Sequence, residues 1–259
     1  MAIALLVLAW LATAAAPTEV DLALVIAVDV SESMDRGELA VQRAGYVAAL
    51  THPDLLSAVR AGRTGRIAVT YVEWAATVRR GSVVPWQVID GRAAAERFAT
   101  AIASHPSGSF RGTSISAALA YGAEAHGASG LAAARRVIDV SGDGPNNLGG
   151  PVTQARDAAV ANGITVNGLP ILIRPSPSYP PMDAYYAACV IGGPGAFVLP
   201  VRRVSELAEA IRRKLVLEVS GLPKAATVVP AATAPAVDCL AGEKLRRSLT
   251  DRFYPGLDR

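Results

Sequence analysis

Residues 21–30 read DLALVIAVDV, and residues 31–33 continue as SES. The stretch is apolar almost throughout and rich in β-branched side chains. A half-exposed strand would alternate apolar and polar residues, so this run fits a strand buried on both faces of a sheet. It closes on a carboxylate, Asp29, and two hydroxyls, Ser31 and Ser33. In open sheets of this kind, ligands bind beyond the carboxyl ends of the strands.

Outward from this stretch, apolar runs alternate with helical spacing. Residues 35–50 repeat apolar positions at Leu39, Tyr46, Val47 and Leu50, with Asp35 placed to cap the start. Further strands are expected at 66–74, 81–89, 136–141, 164–173 and 197–201, with Pro85 marking the second of these as an edge. Helices are expected at 92–103, 113–126, 152–162, 182–190, 205–217 and, short and basic, at 243–251. Thr113 and Ser114 offer cap hydroxyls, and Gly163 suits a helix end. This order predicts an α/β fold: a three-layer, doubly wound, mainly parallel central sheet with helices on both faces.

With 18% charged residues and 51% hydrophobic, the chain has the apolar content a closed core needs, and global disorder is excluded. A net charge of +3, with no basic run interleaved with aromatics, argues against nucleic-acid binding. Residues 2–16 form an apolar stretch too short for an ordinary membrane span and followed by small residues. Residues 1–16 are therefore expected to be a signal peptide, or an N-terminal anchor if uncleaved, although no Lys or Arg precedes the apolar run. The expected location is periplasmic or secreted. Residues 20–220 would form the domain, and 221–259 a Pro/Ala-rich linker with a short basic tail. Cys189 and Cys239 lack metal spacing, and in an oxidising compartment they are expected to pair and tie the tail to the domain.

Three loops carry oxygen ligands at expected element ends. They hold Asp29, Ser31 and Ser33 after the first strand, Thr113 before a helix, and Asp143 in the SGDG turn after the 136–141 strand. In this order the residues resemble the metal-ion-dependent adhesion site of von Willebrand factor A domains, DxSxS…T…D. The likeness covers about residues 21–219. Further runs, GRIAVTYVEW at 65–74, SGDGPNN at 141–147 and VIGGPGAF at 190–197, are similar to an uncharacterised family of bacterial exported proteins with such a domain. Glu32 departs from the glycine common at that place in the motif and adds charge at the rim.

The resemblance implies a metal site at Asp29, Ser31, Ser33, Thr113 and Asp143. Ser31, Ser33 and Thr113 would meet the ion directly, and the two carboxylates would act mostly through water or hydroxyls. An all-oxygen set suits a hard cation, Mg²⁺ first, with Ca²⁺ or Mn²⁺ as alternatives. Neutral direct ligands leave the ion's charge poorly cancelled, so it favours a carboxylate from outside. The expected function is metal-bridged binding of a protein partner that presents Asp or Glu, not an enzyme activity. The other readings are a scaffolding domain with a vestigial site and an assembly factor for another envelope protein. Asp139 lies inside its strand, Asn146 and Asn147 suit either a turn or a supporting role, and Arg212-Arg213-Lys214 reads as a solvated helix face. No GxSxG, P-loop or dinucleotide fingerprint occurs. His52, His105 and His126 are unpaired in sequence, and the first two precede prolines in expected loops.

Overall fold

A computed structural model describes residues 16–105, 108–221 and 237–253. The expected leader up to residue 15, most of the linker (222–236) and the last six residues lie outside that description.

The central sheet has five strands in the order β3-β2-β1-β4-β5. β1 (Thr18–Asp29) pairs in parallel with both β2 (Ile67–Trp74) and β4 (Leu131–Gly142), and β5 (Thr165–Pro170) extends the sheet in parallel beyond β4. β3 (Val84–Ile89) runs antiparallel to β2 at the edge, where Pro85 is exposed and its missing N–H costs no ladder bond. β1 leads to β2 on one side and borders β4 on the other, so the switch point of the sheet lies between the ends of β1 and β4.

Alternate side chains of β1 serve opposite cores. Leu22, Leu24, Ile26 and Val28 pack with α1 (Arg36–Thr51), α2 (Pro53–Arg60), α3 (Arg92–Ser104) and α7 (Val204–Ser220). Val25 and Ala27 pack on the other face with α4 (Ile115–Ala128), α5 (Val152–Ala161) and α6 (Met182–Tyr185), whose helix continues as a π turn through Val190. This double burial explains the unbroken apolar run. Asp35 caps α1 in a capping box with Glu38.

Several expectations need correction. Residues 197–201 form no ladder strand. They touch β5 and its extension through single bridges, Gly168 to Val198 and Ile171 to Val201. Backbone hydrogen bonds between Phe197, Leu199 and Val201 and residues Gly168, Pro170 and Leu172 hold the segment, and Asn167 Oδ1 also accepts the Phe197 N–H at 3.1 Å. The 53–60 helix has no counterpart among the expected elements. His52 does not sit in a loop but ends α1 and caps α2, accepting the Asp54 N–H at 3.2 Å. Residues 113 and 114 do not open the helix as a pair: Ser114 alone is the cap of α4.

Lys214 is the largest departure. It is fully buried, not solvated, and its Nζ donates to Asp139 and, at 2.5 Å, to Glu218. Asn167 Nδ2 adds a bond to the same Glu218 oxygen at 3.2 Å. Burial pushes the Glu218 carboxyl up to about 7, with Asp139 as the second cause. One lysine thus serves two carboxylates in the core between α7 and the sheet.

The expected disulfide is present between Cys189 and Cys239, with Cα atoms 5.5 Å apart. It holds α8 (Ala241–Phe253) beside the domain. The Tyr185 hydroxyl donates to the Cys239 carbonyl at 3.3 Å, and Asn146 Nδ2 donates to Glu243 at 2.7 Å. Among the described residues no helix is long and apolar enough to cross a membrane.

Candidate metal centre

Asp29 is the last residue of β1 and is fully buried. Its Oδ1 accepts the Ser31 N–H at 2.7 Å, which turns the chain so that the next hydroxyls point back over the strand end. Ser31 Oγ and Ser33 Oγ lie 2.8 Å apart, and Ser33 Oγ donates to Asp143 Oδ1 at 2.5 Å. A continuous chain of oxygens therefore runs from β1 to the loop after β4.

Thr113 reaches the same place from a third loop. Ser31, Ser33, Thr113 and Asp143 line one open cleft of about 230 Å³, and Asp29, buried behind that lining, bears on it through the Ser31 N–H. Asn147 holds the Thr113 backbone at both polar groups: its Oδ1 accepts the Thr113 N–H at 2.9 Å, and its own N–H donates to the Thr113 carbonyl at 2.8 Å. Asn146 Oδ1 accepts the Ser116 N–H at 3.0 Å, which fixes the start of α4. Both asparagines thus shape the site through backbone, and Asn147 also lines the cleft.

All five expected residues therefore converge, four on the cleft and one behind it. Asp139 is separate, bonded to Lys214 in the core. Glu32 sits at the rim, exposed, with its carboxylate 3.2 Å from Arg111 Nε. Residues not foreseen also belong here. Gln42 on α1 is buried; its Nε2 donates to the Asp29 carbonyl at 3.0 Å, and its Oε1 accepts from Ser141 at 3.3 Å. It ties the ends of β1 and β4 together. Arg174 and Tyr179, from the proline-rich loop after β5, line the cleft. Their position past a strand's carboxyl end was the available signal.

The electrostatics are those of a site short of positive charge. Burial, with the Asp143 charge second, pushes the Asp29 carboxyl up to about 8. Burial raises Asp143 as well. Asp29 Oδ2 is buried with no hydrogen-bond partner, an expensive arrangement for a carboxylate in the absence of a counter-charge. An oxygen-only donor set with one orphaned carboxylate oxygen fits a hard divalent cation. Of the hydroxyls on the cleft, those of Ser31, Ser33 and Thr113 would hold it. Among the described residues no group of three or more His, Cys, Asp or Glu side chains is placed to hold a metal ion, at this cleft or elsewhere.

The fold is that of von Willebrand factor A domains. The chain is similar to the proximal thread matrix protein 1 of the mussel byssus, solved with zinc occupied MIDAS motif, at 16% identity and a TM-score of 0.55, over 80% of this chain and 49% of that one. It is similar to a von Willebrand factor type A structure from Catenulispora acidiphila at 17% identity and 0.52, over 77% and 43%. It is similar to the pilus adhesin SpaC from Lactobacillus rhamnosus GG at 13% identity and 0.54, over 80% and 30%. The chain thus spans less than half the length of each of these proteins. No curated protein sequence matches. Residues 19–223 match the family described as "Protein of unknown function (DUF1194)", and the chain belongs to that family.

Proposed function

We propose that this chain is a divalent-cation-dependent protein-binding module that acts outside the cytoplasm, and not an enzyme. The cation, Mg²⁺ first, is held by Ser31, Ser33 and Thr113 with Asp29 and Asp143 behind them, and it takes a partner's Asp or Glu carboxylate as a further ligand. The observation that carries this reading is the buried, half-orphaned Asp29 carboxylate beneath a hydroxyl chain that ends on Asp143 in an open cleft. The zinc-containing byssus protein of the same fold supports a divalent ion in such a place. The Cys189–Cys239 bond supports an oxidising compartment, and with it cleavage or anchoring of residues 1–16 as an export leader.

Calorimetric titration with Mg²⁺ tests the metal: Asp29→Ala should abolish the binding seen in the native protein. Capture of partners from envelope extract, with Mg²⁺ and with EDTA, tests the bridge. A scaffolding domain with a vestigial site would bind no cation, and a chelator would change neither stability nor capture.

A further inference from the structure

We propose that Arg174 is the second anion contact of the cleft, so that the acidic group of a ligand is held between the cation and this guanidinium. The inference rests on the metal reading above and adds to it a residue that sets ligand specificity.

Arg174 is fixed on one side and open on the other. Its Nη2 donates to the Ser33 carbonyl at 2.5 Å and also to Glu38, the buried acid of the α1 capping box. These bonds place the guanidinium beside the loop that carries Ser31 and Ser33, and it lines the same cleft as Thr113 and Asp143. Its Nε and Nη1 have no hydrogen-bond partner among the described residues; besides Glu38, the Asp35 carboxylate lies 3.8 Å from Nη1. The side chain is 50% exposed. An anchored guanidinium with free donors is a pre-organised carboxylate receptor, because its ordering cost is already met within the fold.

Tyr179 completes that side of the cleft. Its ring is half-buried, and its hydroxyl has no hydrogen-bond partner among the described residues. A cation at the hydroxyls and a guanidinium on the adjoining wall both select negative charge. Arg174 therefore favours an acidic side chain over its neutral amide more strongly than the cation alone.

The test uses Mn²⁺ as the ion and N-acetyl-aspartate amide as the probe, with N-acetyl-asparagine amide as the neutral control. Mn²⁺ affinity is measured by calorimetry, and probe affinity by the relaxation that bound Mn²⁺ imposes on the probe's methyl protons. The acid should bind the Mn²⁺-loaded protein and the amide should not. Arg174→Gln should weaken the acid about tenfold while Mn²⁺ affinity stays within about threefold, and Arg174→Lys should lie between. Unchanged acid binding in Arg174→Gln, or equal binding of acid and amide by the native protein, overturns the proposal and leaves the metal reading standing. Loss of Mn²⁺ binding in Arg174→Gln also overturns it, since the residue then only positions Ser33. Failure of the native protein to bind Mn²⁺ overturns the metal reading itself.

Discussion

A Cβ built on Gly142 would lie 2.8 Å from Asp29 Oδ2 and 2.8 Å from the Tyr186 hydroxyl. β4 therefore passes so close to the buried carboxylate that only a hydrogen fits at residue 142. Gly142→Ala should push the Asp29 carboxylate out of place. The expected cost is about 1–3 kcal/mol of stability from overpacking, together with weaker Mg²⁺ binding. Chemical denaturation with and without Mg²⁺ checks both; an unchanged Mg²⁺ affinity would show that Asp29 tolerates the shift.

The orphaned oxygen of Asp29 makes an opposite prediction for a substitution of the same shape. Asp29→Asn keeps an acceptor for the Ser31 N–H and removes the buried ionisable group. In the absence of metal the variant should be as stable as the native protein or more so. Mg²⁺ should raise the melting temperature of the native protein and leave that of the Asp29→Asn variant unchanged. A variant clearly less stable than the metal-free native protein would count against a charge deficit at this site.

Lys214 is a single cation between two buried acids. Lys214→Met should cost about 3–5 kcal/mol, because Asp139 and Glu218 are then left facing each other without a counter-ion. Adding Asp139→Asn and Glu218→Gln should recover much of the loss. Urea titrations of the single and triple variants measure both steps.

His126 supplies the clearest pH dependence away from the site. Its ring is buried beside Trp86, and its Nε2 lies 3.1 Å from the Val137 carbonyl. Burial lowers its pKa to about 4 from an ordinary 6.5. The unfolded chain therefore binds the extra proton first as pH falls. The contribution is full above about pH 6.5 and is lost progressively toward pH 4, by about 3 kcal/mol in all. In His126→Gln the stability profile over that window should be flatter than in the native protein.

The Cys189–Cys239 bond closes a loop across a sequence separation of 50. Cys239→Ser, or reduction, should cost about 3–4 kcal/mol on chain-entropy grounds. Hydrogen exchange should also rise at Asn146 and Asn147, which α8 touches through Glu243 and Arg246.

Much of this was legible from residue order. β1 was readable because both of its faces are buried, which removes the alternation that hides strands among loops. Pro85 marked the edge strand because the ring cannot donate to a ladder. That Asp29, Ser31, Ser33, Thr113 and Asp143 would come together was readable because each ends or follows a strand or precedes a helix. The 197–201 segment was less so, since it meets β5 and its extension through single bridges and a few backbone bonds rather than a continuous ladder. Lys214 misleads although it carries a signal: with Leu207, Ile211 and Glu218 it lies on the buried stripe of α7, where a lysine and a glutamate four apart require partners inside the core. Arg174 carried no motif, and only its place after β5 connects it to the cleft.

The Cys189–Cys239 bond has one consequence for the integrity of the molecule as a whole. Any single backbone break between residues 190 and 238, including in the Pro/Ala-rich stretch that joins domain and tail, leaves two pieces that remain one covalent molecule. α8 then stays attached beside the Asn146 loop after the chain is nicked, and the fragments separate only when the sulfurs are reduced.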